Sequence, residues 1–308
     1  MIGSGLRKLL HALAAAALAG QPALAPAAAQ PAQPQAAAPA PREARPALWR
    51  VRDEDTTIYL FGTMHALPPG LEWRSERLRQ AMAGADELVL EVAGDDPLAL
   101  AQAVRGGIST QLPPILERVP AERREALRAA IAASGVPIQA FDRMKSWTAG
   151  LFLAVMSLQR MGVESTLGVE EGLRAGWDDS GRQVIGLETA AEQFGFFDQL
   201  SEESQRLFLI AVTEDEAETR RQFQEMVDAW SAGDVEGIAR TFNADASLSD
   251  ELRDVLLTRR NATWADWLRQ RMERPGTVFV AVGAGHLAGD GSVQTMLAER
   301  GLRAERVQ

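Results

Sequence analysis

The sequence predicts an α/β or α+β fold, with a central, largely parallel or mixed sheet, flanking helices and a large helical insertion. Three observations predict it. Short β-branched and aromatic runs at 57–61, 87–92 and 183–187 are separated by helical patterns. Residues 202–272 then read as helix throughout, with breaks at Gly233 and around Asn243–Ser249. Finally, Thr277-Val278-Phe279-Val280-Ala281-Val282-Gly283-Ala284-Gly285-His286 repeats the pattern of Thr57-Ile58-Tyr59-Leu60-Phe61-Gly62-Thr63-Met64-His65. In both, a strand-forming run leads into Gly-x-x-His, so the fold could hold two duplicated halves.

The N-terminus has its own signature. Arg7 and Lys8 precede the apolar run Leu9 to Ala19, and small residues end at Ala29. Residues 1–29 are therefore expected to be a signal peptide, which places the protein in the periplasm or outside the cell. The apolar run is shorter than the about 20 residues a membrane span needs, so no integral membrane segment is expected after cleavage. Residues 30–46 are a Pro/Ala/Gln linker, and 47–308 are expected to form a single domain starting near Leu48. Hydrophobic residues make up 46% of the chain, enough for a substantial core. A net charge of −10 argues against a nucleic-acid partner, which needs a basic face. The chain has no cysteine, which excludes disulfides, a thiolate nucleophile and cysteine-ligated zinc.

The remaining elements follow from local signals. Ser75 opens a helix to Ala83, and Glu87-Leu88-Val89-Leu90-Glu91-Val92 is a buried-type strand with a carboxylate near its end. Residues 120–134 form a helix closed by Gly135. Pro137 to Asp142 is expected to be a short strand. Ser146 caps a helix running to Met161, apolar nearly all round and therefore buried, with Gly162 as its stop. Gln183–Leu187 is a strand ending at Glu188, after which Thr189 and Glu192 fit a capping box. A helix at 292–300 and a strand at 303–307 complete the chain.

The chemistry concentrates on few residues. The chain has three histidines, and His11 lies in the signal segment, leaving His65 and His286. Four predicted strands end in a polar group: His65, Glu91, Glu188 and His286. If those strands are parallel neighbours, their carboxyl ends converge on one crevice. Two imidazoles with one or two carboxylates form a competent ligand set for zinc, manganese, cobalt or iron. The same groups could also work without metal, with a histidine activating water. Gly62 and Gly283 permit a sharp turn or a close approach before each histidine. Lys145 and Trp147 are candidates for substrate binding, and Arg260 and Asn261 for catalytic or supporting roles.

Each has a structural alternative. Glu91 could cap a helix or pair with an arginine. Glu188 could belong to the Thr189 cap. Lys145, Trp147, Arg260 and Asn261 could all be packing residues. Glu170 and Glu171 read as ordinary helix-surface carboxylates.

Taken together, the chain resembles the TraB/PrgY/GumN family. The pieces that carry the resemblance are Leu48-Trp49-Arg50-Val51, Phe61-Gly62-Thr63-Met64-His65-Ala66-Leu67-Pro68 and Glu87-Leu88-Val89-Leu90-Glu91. Further on come Lys145-Ser146-Trp147, Leu167-Gly168-Val169-Glu170 and Gly186-Leu187-Glu188-Thr189-Ala190-Ala191-Glu192-Gln193. Leu257 to Trp264 and Val280 to Gly289 complete the set. The resemblance implies that His65, His286 and Glu91 are the defining residues. Because the family is similar to the Tiki metal-dependent proteases, it also implies metal-dependent hydrolysis, with manganese or cobalt as the ion and zinc or iron as alternatives. The expected function is a secreted metal-dependent hydrolase of peptidase type, acting on a peptide or other small substrate. His65, Glu91 and His286 would hold the metal, Glu188 would act as base, and Arg260 and Asn261 would stabilise developing charge or bind a substrate carboxylate. The alternatives are a metal-free, esterase-like hydrolase and a non-catalytic peptide-binding or ligand-binding protein.

Overall fold

A computed structural model describes residues 42–94, 97–163, 167–178, 181–213, 216–243 and 249–308. The expected signal peptide and most of the linker lie outside the described residues, as does part of the break around Asn243–Ser249. The last part of the expected linker, from Arg42, is structured. Arg42–Glu43 is already strand β1, and Ala44 is buried, because backbone bonds tie Arg42 and Ala44 to Gly70 and Glu72.

The next strands are β2 (Leu48–Arg52), β3 (Thr56–Thr63) and β4 (Leu71–Glu72), followed by helix α1 (Glu76–Ala83) with Ser75 as its N-cap. Then come β5 (Glu87–Val92), an unexpected helix α2 (Pro97–Gly106), α3 (Arg124–Ala133) and α4 (Ile138–Asp142). Helices α5 (Ser146–Arg160) and α6 (Val169–Asp178) lead to strand β6 (Gln183–Glu188). A second helical block holds α7 (Ala190–Asp198), α8 (Glu202–Ala211), α9 (Glu216–Ser231), α10 (Val235–Asn243) and α11 (Asp250–Arg253). A π-helical segment, Asp254–Thr258, joins α11 to α12 (Arg259–Arg271). Strand β7 (Gly276–Gly283), α13 (Val293–Glu299) and β8 (Glu305–Arg306) end the chain.

Six strands form one mixed sheet in the order β6-β5-β7-β3-β2-β8. The first four are parallel, and β2 runs antiparallel to both β3 and β8. The mixed α/β class expected from the sequence is the class observed. The helical insertion is in fact two blocks, one before and one after β6. The Gly-x-x-His strands β3 and β7 are direct neighbours, with Thr63 opposite Gly283.

Side chains of the central strands are buried on both faces, as a covered parallel sheet requires. Phe61, Leu88, Leu90, Phe279 and Ala281 join the cluster that includes Trp73, Trp147 and Trp230. Ile58, Leu60, Val89, Val278 and Val280 point the other way, to Trp264 and Leu268 of α12 and to Val293 and Leu297 of α13.

Two local expectations are corrected. Residues 138–142 are helical: Pro137 presets the entry, and Phe141 anchors the turn in a third cluster with Leu127, Ile131 and Leu209. Ser146 is the first residue of α5, with Lys145 at the N-cap position, and its hydroxyl donates to Glu202 Oε1 at 2.8 Å. The capping box of Thr189 and Glu192 forms as the sequence predicts.

Candidate functional site

Parallel pairing brings the carboxyl ends of β6, β5, β7 and β3 side by side, and these ends carry Glu188, Glu91, His286 and His65. Beyond β7 the chain makes a 3-10 turn, Ala284–Leu287, which delivers His286. Gly62 permits this turn, since a methyl there would meet Ala284 Cα at 3.1 Å. Gly283 leaves room for the site itself. A methyl on Gly283 would meet Glu91 Oε1 at 3.1 Å, His286 Cδ2 at 3.6 Å and His65 Nε2 at 3.7 Å. Neither glycine has positive φ, so both serve close approach.

The two imidazoles are held alike. His65 Nδ1 lies 2.6 Å from Glu170 Oε1, and the Thr63 hydroxyl donates to that same oxygen. His286 Nδ1 lies 2.5 Å from Asn261 Oδ1. Asn261 Nδ2 donates to the carbonyl of Gly291 at 2.7 Å, which makes Oδ1 the acceptor for His286. Arg260 Nη1, which can only donate, stands 3.1 Å from His286 Nε2. Both neighbours thus select the tautomer with the proton on Nδ1 and the lone pair on Nε2.

Arg260 forms the cationic centre. Nε donates to Glu188 Oε1 at 2.9 Å, and Nη2 donates to Glu188 Oε2 at 2.8 Å and Glu91 Oε2 at 2.7 Å. Nη1 also reaches the carbonyl of Leu256 at 3.1 Å. A guanidinium has five N–H donors, and these bonds engage all of them. All five donors of Arg260 are thus engaged within the protein. Arg260 sets Glu91, Glu188 and His286 relative to one another. Asn261 likewise orients His286. The π-helical segment immediately before α12 is a common feature of functional sites. It precedes the turn in which Arg260, Asn261 and, one turn later, Trp264 face inward, the last packed on the His286 ring at 4.4 Å.

The electrostatics follow from this packing. Burial would raise the Glu91 carboxyl, yet Arg260, the two imidazoles and the Gly283 N–H at 2.7 Å hold it well below the usual carboxylate range. Burial lowers His286, and Arg260 lowers it further, to about 3, so this ring is neutral. Burial opposes charge on His65 too, but Glu170 and then Glu91 outweigh it, raising the ring to about 9. Glu188 is raised by burial against the opposing pull of Arg260. Gln193, on the first turns of α7, donates to Glu91 Oε2 at 3.1 Å and Glu188 Oε2 at 3.2 Å.

The structure thus joins Glu91, Glu188, Arg260, Asn261 and His286 in one hydrogen-bonded network and sets His65 beside it, with Nε2 near Gly283. It does not bring Lys145 and Trp147 to it. Their bonds run to Asp198 Oδ1, at 2.5 and 3.0 Å, and Trp147 stacks on Phe197. Two members were not expected. Glu170, which reads as a surface carboxylate, is the partner of His65, and Gln193 bridges the two strand-end glutamates. The segments Leu167–Glu170 and Gly186–Gln193, which carry the family resemblance, held that signal.

The fold and site define an α/β protein with a paired Gly-x-x-His centre at the carboxyl ends of its parallel strands. The chain belongs to the TraB/PrgY/gumN family, whose model matches residues 47–306. It is 27% identical over 247 residues to the uncharacterized protein YbaP of Escherichia coli strain K12, covering 78% of this chain and 87% of that one. It is likewise 27% identical over 246 residues to YbaP of Shigella flexneri, with the same coverage of each chain. No solved structure matches the chain significantly. Among the described residues, no helix is long and apolar enough to cross a membrane.

Proposed function

We propose that the chain is a secreted or periplasmic metal-dependent hydrolase acting on peptide bonds. The observation that carries this is the common posture of the two imidazoles. Each donates its Nδ1 proton to a side-chain oxygen, and Glu91 Oε1, His286 Cδ2 and His65 Nε2 all lie around Gly283. Histidines that ligate metals are held in this way, by an outer acceptor that fixes the ring and its tautomer.

The donor types suit a divalent ion, with His65, Glu91 and His286 as the residues that would hold it once His65 gives up its Nε2 proton and Arg260 Nη1 leaves the His286 lone pair. Manganese or cobalt is proposed, and zinc or iron suit the same donors. When bound, such an ion supplies a Lewis acid and an acidified water. The chain's own residues do the rest. Arg260 and the Gly283 N–H keep Glu91 ionised. Asn261 keeps the His286 lone pair inward. Glu188, at the neighbouring strand end, is the group to take the proton of the attacking water and return it to the leaving amine. Exchange of that proton needs one of its bonds to Arg260 or Gln193 to loosen.

A second reading has its own observation. Arg260 Nη1 already covers the His286 lone pair, and among the described residues no three His, Asp or Glu side chains stand close enough to hold an ion as they are. A metal-free hydrolase, with Arg260 as the resident cation, would keep that arrangement during turnover. Hydrolysis of a peptide library and of simple esters, before and after exhaustive chelation, separates the readings. Activity lost to chelator and restored by manganese or cobalt supports the first. Full activity in chelator supports the second. Saturable peptide binding without turnover under any ion overturns both in favour of a binding protein.

A further inference from the structure

The first turns of α6 grip both arms of the site. Backbone N–H of Val169 donates to the carbonyl of Met64 at 3.0 Å, next to His65. Glu170 Oε1 accepts from the Thr63 hydroxyl and faces His65 Nδ1 at 2.6 Å. One turn on, Arg174 donates to the carbonyls of Ala93 and Val92, the latter at 3.1 Å, where the Glu91 strand ends. Three consecutive residues of the first Gly-x-x-His unit are therefore held by two consecutive residues of one helix. Of Val169, Glu170 and Arg174, Glu170 is the one whose side chain bonds an imidazole.

We propose that Glu170 is a positioning residue: its carboxylate locks the His65 ring so that Nε2 faces Glu91 and Gly283. This deepens the proposed function and rests on it for the ligand, but the geometry of the ring stands independently. The alternative is that Glu170 is an ordinary first-turn acid serving the helix, which its neighbour Glu171 could do equally well. The bond to Nδ1, the second bond from Thr63 and the partial burial of Glu170 (side chain 20% exposed) argue for the specific role. Its other oxygen, Oε2, is buried without a hydrogen-bond partner among the described residues, an arrangement a helix-surface glutamate does not adopt.

The test uses Glu170→Ala and Glu170→Gln, with Glu171→Ala as control, in protein carrying 15N-labelled histidine. The three-histidine sequence makes the ring signals of His65 and His286 assignable by comparison with His65→Ala. Expected without added metal are a changed His65 ring spectrum in Glu170→Ala, an intermediate one in Glu170→Gln, and no change at His286 or in Glu171→Ala. In titrations with manganese or cobalt, Glu170→Ala is expected to bind about 10- to 100-fold more weakly than wild type. An unaltered His65 spectrum in folded Glu170→Ala overturns the proposal, as does unaltered metal affinity where wild type binds. Wild type that binds no ion would defeat the metal reading alone, and the ring spectra would still decide Glu170. If Glu170→Ala does not fold, Glu170→Gln carries the same comparison.

Discussion

A methyl group at position 283 would stand 3.1 Å from Glu91 Oε1, closer than side chains ordinarily tolerate. The backbone there, at φ −49°, accepts alanine, so the change acts on the site and not on the turn. Gly283→Ala is expected to fold normally and to lose about 100-fold in turnover, the scale of a misplacement near 1 Å; steady-state kinetics beside a melting curve checks both. Arg260 behaves differently, because it compensates two buried carboxylates. Arg260→Met leaves Glu91 and Glu188 without their cation and should cost about 3–5 kcal/mol in urea denaturation. Arg260→Lys should recover little of that, since an ammonium cannot reproduce the five-donor fork. His65 and His286 were legible in the sequence because histidine is rare here and the Gly-x-x-His context recurs. Glu170 was not, because two adjacent acids in a helix's first turn look the same whether they serve the helix or a neighbouring ring. Nor could the sequence show that the donors of Arg260 are all engaged, which only the folded network reveals.

The helix after β6 is where an element's end matters to the site. Thr189 and Glu192 form a reciprocal capping box, and one residue later Gln193 reaches both strand-end glutamates. Thr189→Ala is expected to cost about 1 kcal/mol of stability, measured by denaturant unfolding. It should also lower turnover modestly through Gln193, and Gln193→Ala should reproduce the kinetic loss without the stability loss. That box was readable because its two residues are close in sequence and their spacing is fixed by the helix. The segment 138–142 was misread for the opposite reason. Five residues are too few to show a period, and the placement of Phe141 against Leu127, Ile131 and Leu209 decided the conformation from outside the segment.

Across the whole molecule, the sheet separates two apolar layers, and alternate residues of β7 belong to opposite ones: Phe279 and Ala281 to one, Val278 and Val280 to the other. Phe61 is fully buried between Trp73, Trp230 and Phe279, so Phe61→Ala should cost about 3–5 kcal/mol in chemical denaturation. The strands' buried character was plain from their composition, and so was the mixed α/β class. Their spatial order was not. That β7, from the far end of the chain, inserts between β3 and β5 follows from long-range pairing, and this insertion is what seats His286 between His65 and Glu91. We propose that this assembly holds a metal ion. Metal binding is tested most directly by the metal content of protein purified without chelator or affinity metal, beside a His65→Ala/His286→Ala double variant. Near-stoichiometric manganese, cobalt, zinc or iron is expected in wild type, lost in a variant that remains folded. No bound ion in wild type, even after each is added back, would contradict the proposal.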